Sequence, residues 1–266
     1  MKKYLCGWSL AFLIVFSASA YAAPTGHEIM QIQKERHQAK DEEKRSEMHL
    51  IDRRGKKKVR DMVFYSFQGA DKLNKAMLKF KSPADIRGVG VLTWGRASGD
   101  DDQWLYLPRA RKLKRIVAGA RKNKFMGTDL AFEDLRPENL DIHNYTLLRE
   151  EENEGKHYFV IESTPSTPKE KKGSTYSKRI FWIRSDIYFP EKIEFLDKRG
   201  RLSKRSVMEE LVNVSGEMWR AQRVTVENLL RKHKTITLTK SYQLDQGLEE
   251  SFFFTQRVLK KPHTRD

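Results

Sequence analysis

Residues 76–94 read AMLKFKSPADIRGVGVLTW, residues 101–117 read DDQWLYLPRARKLKRIV, and residues 124–135 read KFMGTDLAFEDL. In the first two stretches apolar and polar side chains alternate in short runs that stop at Gly, Pro or Asp. That period-two pattern belongs to half-buried antiparallel strands. Trp94, Trp104 and Tyr106 fall inside such runs, with no nucleophile–base pair or metal-ligand spacing between them. Large aromatics on a sheet without catalytic groups point to a surface for greasy ligands rather than a reaction centre.

The same alternation continues on both sides. Strands are expected at residues 46–52, 57–68, 74–81, 88–94, 104–107 and 113–117. A second group is expected at 144–151, 157–164, 176–184, 191–197, 202–214, 218–229 and 234–244, with Phe252-Phe253-Phe254 opening a short terminal strand. Asp52-Arg53-Arg54-Gly55, residues 99–102, Asp197-Lys198-Arg199-Gly200 and Val214-Ser215-Gly216 carry turn chemistry between them. In the 57–68 run, Val59, Val63, Tyr65 and Phe67 share one face and Met62 and Phe64 the other.

Ahead of the strands, residues 25–45 predict a helix. Thr25 caps it, Glu28 completes a capping box, and Ile29, Met30 and Ile32 form its apolar face. Residues 165–173, rich in Pro and Lys, predict a mobile loop, and residues 122–139 a cover with a short helix near 130–135. The fold class is mainly β (α+β): an incomplete antiparallel barrel or curved sheet with an N-terminal helix and short lid helices. The division is a signal segment at 1–22, one domain at 23–259 and a loose tail at 260–266.

Lys2 and Lys3, an apolar run from Leu10 to Phe16, and Ala20-Tyr21-Ala22 fit a secretory signal cleaved before Ala23. The apolar run falls short of the about 20 residues that span a bilayer. The expected location is the periplasm. Cys6 is the single cysteine and lies inside the signal, so a disulfide scaffold, thiol catalysis and Cys-based metal sites are excluded from the remainder. There are 52 Lys and Arg against 36 Asp and Glu, a net charge of +16; losing Lys2 and Lys3 leaves 50 against 36, or +14. Export argues against nucleic acid as the partner. The dispersed basic knots fit either a solvated sheet rim or attraction to anionic lipid.

None of the seven histidines forms a metal-ligand motif, and no nucleophile elbow, phosphate loop or dinucleotide fingerprint occurs. No metal, cofactor or catalysis is expected. One helix cannot fill the concave side of so large a sheet, so apolar residues are left to line a cavity. Its expected lining is Phe64, Phe80, Trp94, Trp104, Tyr106, Trp182 and Phe195. Asp85, Arg87, Arg115, Asp129 and Asp134 are expected to form a structural or lid charge cluster. In it Arg87 braces a strand start against Asp129 or Asp134, because an unpaired buried charge is costly. Holding a lid or an anionic ligand head is the functional alternative for Arg87.

Several runs carry a resemblance. L-x-F-x-x-P-x-D-x-R-G (Leu78 to Gly88), WLYLP (Trp104 to Pro108), the basic stretch ending in Arg115-Ile116, F-M-G-T-D (Phe125 to Asp129) and E-D-L (Glu133 to Leu135) occur in that order. This series resembles the outer-membrane lipoprotein-sorting protein family, whose fold is similar to that of the periplasmic carriers LolA and LolB. The resemblance implies an incomplete barrel with a helical lid and an apolar interior for acyl chains, working beside an inner-membrane exporter of the resistance-nodulation-division (RND) type. The expected function is that of a monomeric, non-enzymatic periplasmic carrier of a lipid, a lipoprotein acyl chain or a similar lipophilic molecule. The covers are the 25–45 helix and residues 122–139, and opening them should be easy. A structural adaptor that docks a membrane transporter without carrying lipid is the alternative.

Overall fold

Strict alternation of inward and outward side chains makes most of the chain one antiparallel meander. The computed structural model describes residues 23–97 and 100–260, so the signal segment, Cys6 and residues 261–266 lie outside the described residues. The strands are β1 (Asp41–Ile51), β2 (Lys57–Gln68), β3 (Asn74–Phe80), β4 (Gly90–Trp94), β5 (Asp102–Leu107) and β6 (Lys112–Arg115). After a connection come β7 (His143–Asn153), β8 (Lys156–Pro165), β9 (Tyr176–Arg184), β10 (Phe189–Asp197), β11 (Leu202–Ser215), β12 (Met218–Asn228) and β13 (His233–Leu244). They form one curved, unclosed antiparallel sheet in the order β6-β5-β4-β3-β2-β1-β13-β12-β11-β10-β9-β8-β7.

That order has one consequence for everything that follows. β6 and β7 are consecutive in sequence but lie at opposite edges of the sheet. Residues 116–142 therefore have to travel from one edge to the other. They do so across the concave side, where Phe125 and Phe132 join Met48, Met62, Leu78, Phe80 and Val91 in one buried cluster.

Side-chain parity sorts the rest. Lys44, Phe64, Leu78, Val91 and Leu105 lie in register across β1 to β5, and Ser46, Met62 and Phe80 form the neighbouring row. These rows face inward. Val63, Tyr65, Met77, Leu92 and Tyr106 face outward and are covered by Leu248, Phe252, Phe253 and Val258. On the other half Ile29 and Met30 of α1 (Gly26–Arg36) pack on Phe159, Ile161, Phe181 and Ile183. Gly26 allows this approach, because a Cβ there would lie 2.8 Å from Leu147 N and 2.9 Å from Tyr145 O.

Three expectations are corrected. The N-terminal helix stops at Arg36 rather than 45, and the charged stretch from Asp41 is the first half of β1. Its carboxylates, Asp41, Glu42 and Glu43, are buried with partners. Asp41 accepts from the backbone N–H groups of Gln246, Gly247 and Leu248 at 2.9, 2.9 and 3.1 Å, and Glu42 pairs with Arg220 at 2.9 Å. Residues 165–173 include a short helix, α2 (Pro168–Gly173), capped by Thr167, which accepts from Glu170 N–H. The three terminal phenylalanines form no strand. A 3-10 turn, Glu250–Phe253, leads into α3 (Thr255–Lys260), so Phe252 and Phe253 together plug the outer face. The Asp52 and Asp197 turns form as expected, each carboxylate accepting two backbone N–H groups within its turn.

His37 caps α1 and ties it to the sheet. Its Nε2–H points at the carbonyls of Ile187 and Tyr188, 3.2 and 3.1 Å away, while Nδ1 accepts from Trp219 N–H at 3.1 Å. Both nitrogens are therefore satisfied only in the neutral ring, since a proton on Nδ1 would face Trp219 N–H. Burial lowers the pKa of His37; the hydrogen bond to Tyr188 opposes the shift and Arg220 adds to it. The unfolded chain thus takes up this proton at a higher pH than the folded one, and stability is lost as pH falls below about 6.5 toward the depressed folded value. Thermal unfolding at about pH 7.5 and about pH 5.5 should give the lower Tm at the acid pH. A His37→Gln variant should show a smaller dependence.

Candidate ligand-binding cavities

Two cavities open between the concave face and the 116–142 crossing. The larger, about 420 Å³, has a floor that includes Phe181, Ile193, Phe195, Val224 and Val226 from β9 to β12. The smaller, about 350 Å³, lies over Met62, Phe64, Ala76, Leu78 and Val91 of β2 to β4. Asp134, Arg136 and Pro137 line both, so this part of the crossing is a strap standing between them. Each volume falls in the range of small-molecule pockets.

The strap is held by charge. Lys204 Nζ donates to Asp134 at 2.6 Å and to the Tyr176 hydroxyl, which itself donates to Asp134 at 3.0 Å. Arg179 grips Glu138 with two bonds of 2.8 Å, and the Tyr145 hydroxyl donates to the same carboxylate. Burial pushes Glu138 up, but the Arg179 guanidinium outweighs it and holds the carboxyl below its ordinary range. Burial, with Asp134 next, raises Tyr176 well above the usual phenol value. Burial raises Glu133 too, with Asp134 beside it, although its carboxylate accepts from Thr175 N–H at 2.8 Å. On the other half Arg136 pairs with Asp101 at 2.9 Å and Gln103 donates to Phe132 O at 3.0 Å. These groups are locked in mutual pairs, an arrangement that positions a strap rather than activating a nucleophile. Among the described residues no group of three or more His, Cys, Asp or Glu could hold a metal ion, and no helix is long and apolar enough to cross a membrane.

Phe64 lines the smaller cavity and Phe195 the larger. Phe80 is inward but fully buried, stacked on Phe125 at 5.4 Å, so it supports the strap and is in neither lining. Trp94, Trp104 and Tyr106 lie on the outer face under the C-terminal segment, Trp94 Nε1–H donating to Phe253 O at 2.9 Å. Trp182 also faces outward, donating to Glu151 at 2.6 Å with Lys192 Nζ 3.5 Å from its ring centre. The reason is parity. Each of these four sits one residue out of step with an inward neighbour such as Val91, Leu105 or Phe181.

The acid–arginine cluster does not assemble. Asp85 and Arg87 are exposed at the turn before β4, and Arg115 pairs with Asp102. Asp129 binds His233 at 2.5 Å and Thr235 at 2.9 Å, and Asp134 binds Lys204 and Tyr176, so neither has Arg87 as its brace. These partners of Asp129 and Asp134 come from strands 42 to 106 residues further on, beyond any local spacing signal. Glu42, Lys44, Arg179, Lys204 and Arg220, all in cavity linings apart from any expectation, are charged residues at inward strand positions. That polar break in an apolar face is the signal that could have found them.

A family model described as "Uncharacterized protein" matches residues 72–261. No curated protein matches. Among solved structures, an outer membrane lipoprotein-sorting protein domain from Vibrio parahaemolyticus is 31% identical, with a TM-score of 0.83 over 89% of this chain and 98% of that one. A DUF1329 family protein from Desulfovibrio piger is 26% identical, with a TM-score of 0.81 over 88% and 97%. A LolA superfamily protein from Nitrosomonas europaea shares the fold at 22% identity, with a TM-score of 0.70 over 88% and 99%.

The charge pairs give opposite expectations for two substitutions. Lys204→Met strands Asp134 in a site where both side chains are less than a tenth exposed, and should cost about 3–5 kcal/mol. Arg87→Ala, at an exposed turn, should stay within about 0.5 kcal/mol of the wild type. Urea unfolding of the two variants checks both.

Proposed function

The chain belongs to the outer-membrane lipoprotein-sorting protein family, and from that membership and its two roofed cavities we infer a non-enzymatic carrier of lipid, lipoprotein acyl chains or a similar lipophilic molecule. The observation that carries this reading is the apolar floor of the two cavities on the concave face, with Phe64, Leu78 and Val91 beneath one and Phe181, Ile193 and Phe195 beneath the other. Apolar surface of this kind, at about 25 cal/mol per Å² removed from water, favours an acyl chain over solvent. Two relatives point the same way by name, one as a lipoprotein-sorting domain and one as a LolA superfamily protein. In this reading residues 23–259 act as one unit in the periplasm, released from a signal segment that ends at Ala22, and an inner-membrane RND-type exporter is the partner the resemblance adds.

Wild-type protein should raise the emission of an environment-sensitive fatty-acid probe and should leave its own periplasm with bound lipid visible by native mass spectrometry. Ala76→Trp and Val226→Trp each fill one cavity and should each remove part of the probe signal, with far-UV circular dichroism confirming that the sheet is retained. Protein that arrives empty and leaves the probe dark would overturn the carrier reading in favour of a docking adaptor. Separately, N-terminal sequencing of the exported protein should begin at Ala23.

A further inference from the structure

The smaller cavity holds one charge that its own walls leave unanswered. Five ionic side chains line it: Glu42, Lys44, Asp134, Arg136 and Arg220. Glu42 is paired with Arg220 at 2.9 Å, Arg136 with Asp101 at 2.9 Å and Asp134 with Lys204 at 2.6 Å. Lys44 Nζ has no hydrogen bond or ion pair to any described residue; its contact is the ring of Phe64, 5.1 Å from the nitrogen to the centroid. It is also half-buried. Burial lowers its pKa, Glu42 pulls the other way, and Arg220 adds to the depression. An ammonium held in such a place without a carboxylate is a standing cost, and proteins ordinarily pair or remove it.

The position of Lys44 gives that cost a use. In the sheet register Lys44 lies beside Phe64, which lies beside Leu78, which lies beside Val91. The cation therefore stands at one end of an apolar row three strands wide, about 14 Å at about 4.8 Å per strand. A point charge at the end of a greasy track has the shape of an amphiphile's complement. We propose that the smaller cavity takes a single-chain amphiphile whose anionic head, a carboxylate or a phosphate, sits on Lys44 while its chain lies along Phe64, Leu78 and Val91. The proposal rests on the carrier reading and narrows its cargo. Arg220 and Glu42 neutralise one another, so the net charge offered to the head group is that of Lys44 alone.

The test is displacement of a bound neutral fluorescent acyl probe at about pH 8, where carboxylate and phosphate heads are both ionised, by ligands sharing one twelve-carbon chain. The ligands are laurate, lauroyl lysophosphatidate and the uncharged dodecanol, against wild type, Lys44→Met and Lys44→Arg. At least one anionic ligand should displace the probe from wild type about tenfold more tightly than the alcohol, and which one does so identifies carboxylate or phosphate as the head. Lys44→Met should bring all three ligands to similar affinity while leaving dodecanol unchanged, and Lys44→Arg should keep the preference. Lys44→Met should melt no lower than wild type, because an unpaired cation is exchanged for an apolar chain of similar length. An equal ranking of alcohol and anions in wild type, or a preference that survives in Lys44→Met, would overturn the inference while leaving the carrier reading intact. Failure of every ligand to bind would remove both.

Discussion

One topological constraint governs this molecule: the chain must cross its own sheet. Having built β1 to β6 toward one edge, it resumes at β7 on the far edge, and only then returns strand by strand to pair β13 with β1. Twelve inter-strand spacings of about 4.8 Å separate those edges along the sheet, so the connection cannot be a tight turn. Curvature shortens the route and makes the concave side the shorter path. The strap over the cavities is thus a consequence of strand order, and the apolar residues it carries, Phe125 and Phe132 among them, are what seat it there.

Once a strap crosses a concave face, its polar backbone and flanking charges need partners inside the molecule. The sequence meets this from both halves. Arg60 donates to Met126 O at 2.7 Å and Gln103 to Phe132 O from the β2 and β5 side, while Thr235, Lys204 and Arg179 answer Asp129, Asp134 and Glu138 from the β9 to β13 side. The strap therefore fastens the two halves to each other as well as roofing them. Three of the aromatics expected in the cavity, Trp94, Trp104 and Tyr106, perform a different task on the outer face. Tyr65, Trp94, Trp104 and Tyr106 with Phe252 and Phe253 form a second core that anchors the C-terminal segment.

Much of the fold was legible because strand periodicity is local. The β2 and β9 bounds match the expected runs, and the turns at Asp52 and Asp197 announced themselves by composition. The start of β1 was hidden because Glu42 and Lys44 point inward, where the pattern asks for apolar residues, and the charge density of 41–45 imitates a solvated helix. That local contradiction marks the cavity wall, as departures from consistent patterning often mark functional or strained positions. The site itself was only half legible. Size singles out the large aromatics, yet parity decides which face a residue serves, and a residue one step out of phase serves the other. Long-range pairs such as Asp129 with His233 leave no trace in a single sequence.

The same anchors bear on how cargo exchanges. A freely lifting lid was the expectation, but raising the strap here would break Lys204 from Asp134, Arg179 from Glu138 and Arg136 from Asp101 while the surrounding wall is still dry. Stranding one partner of a single such pair costs about 3–5 kcal/mol, so opening three together would consume a large share of the roughly 5–15 kcal/mol that holds a domain folded. A ligand that slides in beside the strap leaves those pairs intact. The residues bordering the larger cavity on that route are Gln33 of α1 and Lys169, Glu170 and Gly173 of α2. α2 presents no buried side chain at all, so displacing it exposes little apolar surface, whereas Ile29 and Met30 keep α1 seated on the core. The energetics thus put the moving part at the rim, in α2, and leave the strap as the fixed element against which it moves.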